Sequence, residues 1–185
     1  MTFFEIKFTI LYNNYIKREK MKKLLLVLVL FAVITAGTAF ADYPDGLGIG
    51  VVYGGAGYWN GGFFGYPALS LKLPNADIFW AIRLGIGHEH FDLTISGDKY
   101  FIHNPLVSEI GLHWYIGLGL GLGVHLSDPI GLGVTGRLPI GLSWQPIPLL
   151  EVFLQLIPTL GLQLLPNFHF PYGGWGGDIG LRLWL

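Results

Sequence analysis

The sequence predicts an all-β fold: an eight-stranded antiparallel up-and-down transmembrane β-barrel, preceded by a cleaved helical signal peptide. Three observations carry this expectation. The chain is 52% hydrophobic and only 12% charged, where about 25% charged is usual for a soluble domain. Beyond the N-terminal region, no apolar run reaches the roughly 18 residues that a spanning helix requires. From residue 46 onward, hydrophobicity instead repeats at every second position, which is the period of a strand.

The N-terminal element reads as an export signal. Met21, Lys22 and Lys23 give a positive start, residues 24–34 are uninterruptedly apolar, and Ala39-Phe40-Ala41 offers a small-x-small cleavage site. That pattern predicts cleavage after Ala41, so residues 1–41 are an N-terminal extension and signal peptide and 42–185 the barrel. Met21 already opens a complete signal, which makes it a candidate for the true start. The barrel segment holds five basic and ten acidic residues. That acidic balance argues against a nucleic-acid partner, which calls for a basic face. Without cysteine the chain has neither disulfides nor a thiolate metal site.

Eight strands are expected at about 46–54, 67–73, 78–88, 90–103, 113–126, 130–144, 149–165 and 175–185. The fifth shows the pattern best. Trp114, Ile116, Leu118, Leu120, Leu122, Val124 and Leu126 alternate with Tyr115, Gly117, Gly119, Gly121, Gly123 and His125. A strand collects those leucines on one face, and glycine at alternate positions would weaken a helix by roughly 1 kcal/mol each. Turn residues separate the strands around Trp59-Asn60-Gly61-Gly62, Pro74-Asn75, Ser127-Asp128-Pro129, Gln145-Pro146 and Pro166-Asn167. Between the third and fourth strands, either His88-Glu89-His90 or Ser96-Gly97-Asp98 serves as the turn. Pro139 and Pro158 fall inside strands, where each removes a ladder hydrogen bond, so bulges are expected there.

Alternation does not say which face is inside; volume does. The apolar phase carries roughly forty large side chains, and the interior of an eight-stranded barrel is just wide enough to be filled by side chains. The other phase is mostly glycine, with few of the lysines and glutamates of a soluble exterior. The large residues therefore face outward into lipid, and closure leaves no unpaired edge. A soluble periplasmic lipid-binding barrel, apolar inside, is the reading this count disfavours.

These features resemble the small outer-membrane barrels of the OmpX and OmpW type. The stretches Tyr115-Ile116-Gly117-Leu118-Gly119, Arg137-Leu138-Pro139-Ile140-Gly141-Leu142 and Gly180-Leu181-Arg182 carry the resemblance. It implies residence in a bacterial outer membrane, with outer-membrane lipids and the outer-membrane assembly machinery as partners. Barrels of that type end in an aromatic residue; here Leu185 is last and Trp184 precedes it.

Candidate functional residues lie on the inward phase. Lys72, Arg83, Arg137 and Arg182 face Glu89, Asp92, Asp98, Glu151 and Asp178, either as an interior polar network or as the lining of a narrow selective channel. Outward, Trp80, Trp114 and Trp144 fall at one membrane border as an interface girdle, where an indole keeps its ring in lipid and its N–H near water. His125 and Ser127 echo the His-x-Ser pair of outer-membrane lipid A deacylases, but Asp128 stands where that family has asparagine and no glutamate follows until Glu151. The spacing of His88 and His90 suits a metal, yet no third ligand is visible. The sequence thus points to a non-enzymatic outer-membrane barrel without cofactor or metal, in a structural, surface-interaction or narrow-pore role. A lipid-modifying barrel enzyme is the alternative. Both chain ends, and the turns near Asn75 and Pro146, are expected on the periplasmic side.

Overall fold

The computed structural model describes residues 44, 46–58, 61–86, 91–126 and 128–185. The expected signal segment, His88, Glu89, His90 and Ser127 lie outside the described residues. Among the described residues no helix is long and apolar enough to cross a membrane, and strands make up nearly all of the regular structure.

Nine strand segments follow one another: β1 (Gly48–Tyr58), β2 (Gly61–Lys72), β3 (Phe79–Ile86), β4 (Phe91–Val107), β5 (Leu112–Leu126), β6 (Gly131–Arg137), β7 (Ile140–Ile147), β8 (Leu150–Leu165) and β9 (His169–Trp184). Each pairs antiparallel with its neighbours, and β1 pairs with β9 from Gly48↔Trp184 to Tyr58↔Gly174. The sheet is therefore closed. β6 and β7 both lie between β5 and β8, so they are two halves of one strand and the ring has eight positions.

That split corrects the expectation of one continuous strand over 130–144. It also corrects the expected bulge at Pro139. The ladder is interrupted at Leu138-Pro139, yet the register does not move: Gly119 pairs with Arg137 before the gap and Ile116 with Ile140 after it. Pro139 still accepts from the Gly117 N–H at 2.8 Å, and Pro158 still accepts from the Leu138 N–H at 3.0 Å. Each proline loses the donor half of a paired position and keeps the acceptor half. A one-residue slip would turn every later side chain to the wrong face, so losing single bonds is the smaller cost. Pro158 likewise stays in register, opposite Trp175.

The irregularities fall elsewhere. Between Tyr100 and Ile102 the β4–β5 register shifts by one residue, so Tyr100 and His103, three apart, are both buried. Other boundaries also differ from the sequence reading. β1, β2 and β9 reach well into the glycine-rich stretches expected to be loops, and Ser96-Gly97-Asp98 sits within β4, opposite Phe79–Ala81 of β3. Glycines supply no apolar alternation for a sequence reader to see, but their backbone groups pair as well as any. The β2–β3 turn is held by the Ala76 N–H bonding to Leu73 O, with Asn75 at φ 58°, a left-handed conformation that asparagine tolerates.

The barrel is inside-out by the standards of a soluble protein. Among the described residues, thirteen polar or charged side chains are buried against eight hydrophobic ones. Large apolar residues cover the outside; Leu84, Leu120, Leu154 and Leu160 are all about half exposed.

Candidate functional site: the barrel interior

The interior divides into two halves along the axis. Lys72, Phe79, Tyr115, Glu151 and Trp184 come from strand residues near the two chain ends, and there the lumen is filled. Arg182 is the centre of this half. Its guanidinium donates to Glu151 at 2.7 Å and to the Ser70 hydroxyl at 3.1 Å. It also lies over the rings of Phe79, Phe153 and Trp184, at 4.6, 4.7 and 5.6 Å from their centroids. A planar, weakly hydrated cation suits such a sandwich, where an ammonium would not. Glu151 takes two further bonds, from the Ser143 hydroxyl at 2.8 Å and the Trp184 indole at 3.0 Å, so its buried charge is fully satisfied. Lys72 completes the floor, donating to Pro44 O at 3.2 Å.

Above it, a polar chain crosses the lumen. Arg83 on β3 donates to Asp178 on β9 at 2.6 Å. Asp178 accepts from Gln155 on β8 at 3.1 Å, and Gln155 accepts from Tyr115 on β5 at 2.9 Å and Tyr100 on β4 at 3.4 Å. The Tyr100 ring packs on Phe79 and Tyr115, with centroids 4.3 and 4.5 Å apart. Small residues make room for it: a Cβ on Gly117 would come within 2.4 Å of Tyr100, and one on Gly141 within 2.5 Å of Tyr115. A third ion pair, Arg137 to Asp98, is bidentate at 2.9 and 3.0 Å.

The half away from the chain ends is open. His125 and Asp92 face each other across the β4–β5 ladder and hydrogen-bond, and the Tyr66 ring and Asp92 flank Gly85 on the same wall. Glu151, the first glutamate after His125, is committed to Arg182. The structure thus gives His125 a different acid, and Ser127 lies outside the described residues. Among the described residues no cluster of three metal-ligating side chains forms.

Of the residues singled out from sequence, Lys72, Arg83, Asp98, Arg137, Glu151, Asp178 and Arg182 are all brought into the interior and buried. Asp92 lies at the open end, and Glu89 is outside the described residues. Sequence reasoning missed Tyr100, Tyr115, Gln155 and Ser143, which join the charges together. Inward phase was their one available signal. Of the tryptophans, Trp80 and Trp144 are exposed and Trp114 half-buried, all towards the chain-end rim; Trp144 donates its indole N–H to Ile110 O at 2.9 Å. Trp184 is buried in the interior.

No protein-family model matches the chain, and no curated protein sequence does. Solved structures do. Neisserial surface protein A aligns with a TM-score of 0.52 at 12% identity, over 75% of this chain and 96% of that one. The fold is an eight-stranded antiparallel up-and-down β-barrel. The N-terminal β-barrel domain of Pseudomonas aeruginosa OprF also aligns, with a TM-score of 0.48 at 14% identity over 74% of this chain and 96% of that one.

Proposed function

We propose that this chain is an integral barrel of a bacterial outer membrane, with a structural or surface role and a lumen closed to the flow of solutes. The hydrogen-bonded chain from Arg83 through Asp178 and Gln155 to Tyr100 and Tyr115 carries this reading. It links five of the eight strand positions across the interior. A solute passing through would have to break buried charge-assisted bonds, and each broken ion pair would leave a charge uncompensated. The apolar outer face, the closed ring and the expected export signal support the membrane location, since a closed sheet satisfies all its backbone groups without water. The alternating pattern supports kinship with the OmpX and OmpW type.

In this reading the protein is not an enzyme. His125 takes Asp92 as its partner, and the acid of the deacylase comparison is bound elsewhere. Conductance across planar bilayers tests the closed lumen. Protein refolded in detergent and inserted into the bilayer is expected to leave the membrane silent; discrete, reproducible current steps would overturn the proposal.

A further inference from the structure

The strands surround an open-mouthed cavity of about 1080 Å³ in the half of the lumen away from the chain ends. This is the size of a small-molecule site, which typically measures roughly 300–1,000 Å³. Its walls include the rings of Tyr66 and Tyr172 and the side chain of Ile157, with glycines between them. Arg83 and Arg137 line it as well, and the polar chain and the ion pairs described above lie beneath it.

Both arginines have donors to spare. Arg83 uses Nη2 on Asp178, which leaves Nη1 for the cavity; its Nε also has no hydrogen-bond partner among the described residues but is buried out of reach. Arg137 uses Nε and Nη2 on Asp98, which leaves Nη1. Asp92, the carboxylate at the mouth, is already engaged by His125. A donor with no acceptor is costly when buried, and the planar fork of arginine matches paired anionic oxygens, those of a carboxylate or a phosphate; the apolar wall beside it suits a carboxylate with an apolar body.

We propose that this cavity binds a small monocarboxylate with an apolar body. The carboxylate accepts from the spare N–H groups of Arg83 and Arg137, and the body lies against Tyr66, Ile157 and Tyr172. Asp98 and Asp178 balance the two arginines, so recognition rests on directed hydrogen bonds more than on net charge. The ligand is either a soluble aromatic acid or a fatty acid released from lipid; both present the same head to the same donors.

The test is a titration of the full chain in detergent, followed by nuclear magnetic resonance of the arginine Nε–H signals. The probes are benzoate, octanoate and the neutral benzyl alcohol. Benzoate or octanoate should shift the Arg83 and Arg137 signals saturably, and benzyl alcohol should not at the same concentration. Tighter binding of octanoate assigns the fatty-acid source, and tighter binding of benzoate the soluble one. Gly123→Leu is the filling variant. A Cβ there meets nothing nearer than Thr94 Oγ1 at 3.8 Å, so the wall accommodates the start of a side chain at a position that lines the cavity. It should weaken binding at least tenfold while the remaining spectrum stays that of a folded barrel, and Arg83→Gln should do the same. Absence of saturable shifts, equal response to benzyl alcohol, or unchanged binding in folded Gly123→Leu would each overturn the proposal.

Discussion

Arg182 and Glu151 meet at 2.7 Å inside the barrel, with side chains 3% and 0% exposed. They sit on neighbouring strands and directly opposite in register. Removing one partner strands the other's charge in a site with no water to solvate it. Arg182→Met is therefore expected to destabilise the barrel by roughly 3–5 kcal/mol. Glu151→Gln should cost less, because the amide still accepts one bond from Trp184 or Ser143. Urea titration of the folded state in vesicles measures both. Equal, small losses would mean that the pair is not the centre of the interior packing.

The two faces of the barrel wall should respond differently to substitution. Leu120 and Leu156 point outward, 55% and 49% exposed. Arginine at either position should destabilise by roughly 2–4 kcal/mol if it sits near the bilayer midplane. Thr135→Ser, on the inward face, should change stability far less. Similar sensitivity on both faces would reverse the inside-out assignment.

Trp80, Trp114 and Trp144 should mark one membrane border. Their register neighbours agree: Trp80 pairs with Leu71 near the end of β2, and Trp144 with Leu112 at the start of β5. Lipids brominated at stepped depths, used with single-tryptophan variants, are expected to quench all three most strongly near the headgroups. Strongest quenching at the bilayer centre for any one of them would place its strand several residues away from this register.

Orientation is tested by labelling. Asn75 and Asn167 are both exposed, at opposite ends of the barrel. A cysteine at Asn167 should react with an impermeant reagent on intact cells, and one at Asn75 only after the outer membrane is breached. The reverse pattern would put the chain ends outside.

Much of the fold was legible because lipid makes a barrel's code simple. Leu118, Leu120 and Leu122 can share a face only in a strand, and their bulk can only be outside. What escaped was whatever broke the period or lacked bulk. The one-residue shift near Phe101 put Tyr100 and His103 on the same side, which strict alternation forbids. Glycine-rich ends of β1, β2 and β9 gave no apolar signal. The buried charges could be listed from their phase, but their pairing could not. Arg83 finds Asp178 across three strand boundaries, at a separation of 95 residues, and no local pattern specifies that. Pro139 was visible as a missing donor, but the surviving bond from Gly117, which keeps the register intact, depends on a neighbouring strand.

The ring closes where β9 meets β1, and β9 is also the strand that brings Asp178, Arg182 and Trp184 to the interior. Arg182 can find Glu151 as soon as β8 and β9 form a hairpin, but Ser70 on β2 and the Arg83–Asp178 pair lie across the seam. Until closure, Arg83 has only water to satisfy it, and Asp178 has water and Gln155 of the neighbouring β8; at closure the two charges lose the water and gain each other in the same event. Assembly is thus a latch rather than a gradual zipping. The long-range pairing that must precede it makes the step slow, while the finished ring has no edge from which unfolding can begin by fraying. A barrel built this way resists opening far more than its modest interior would suggest.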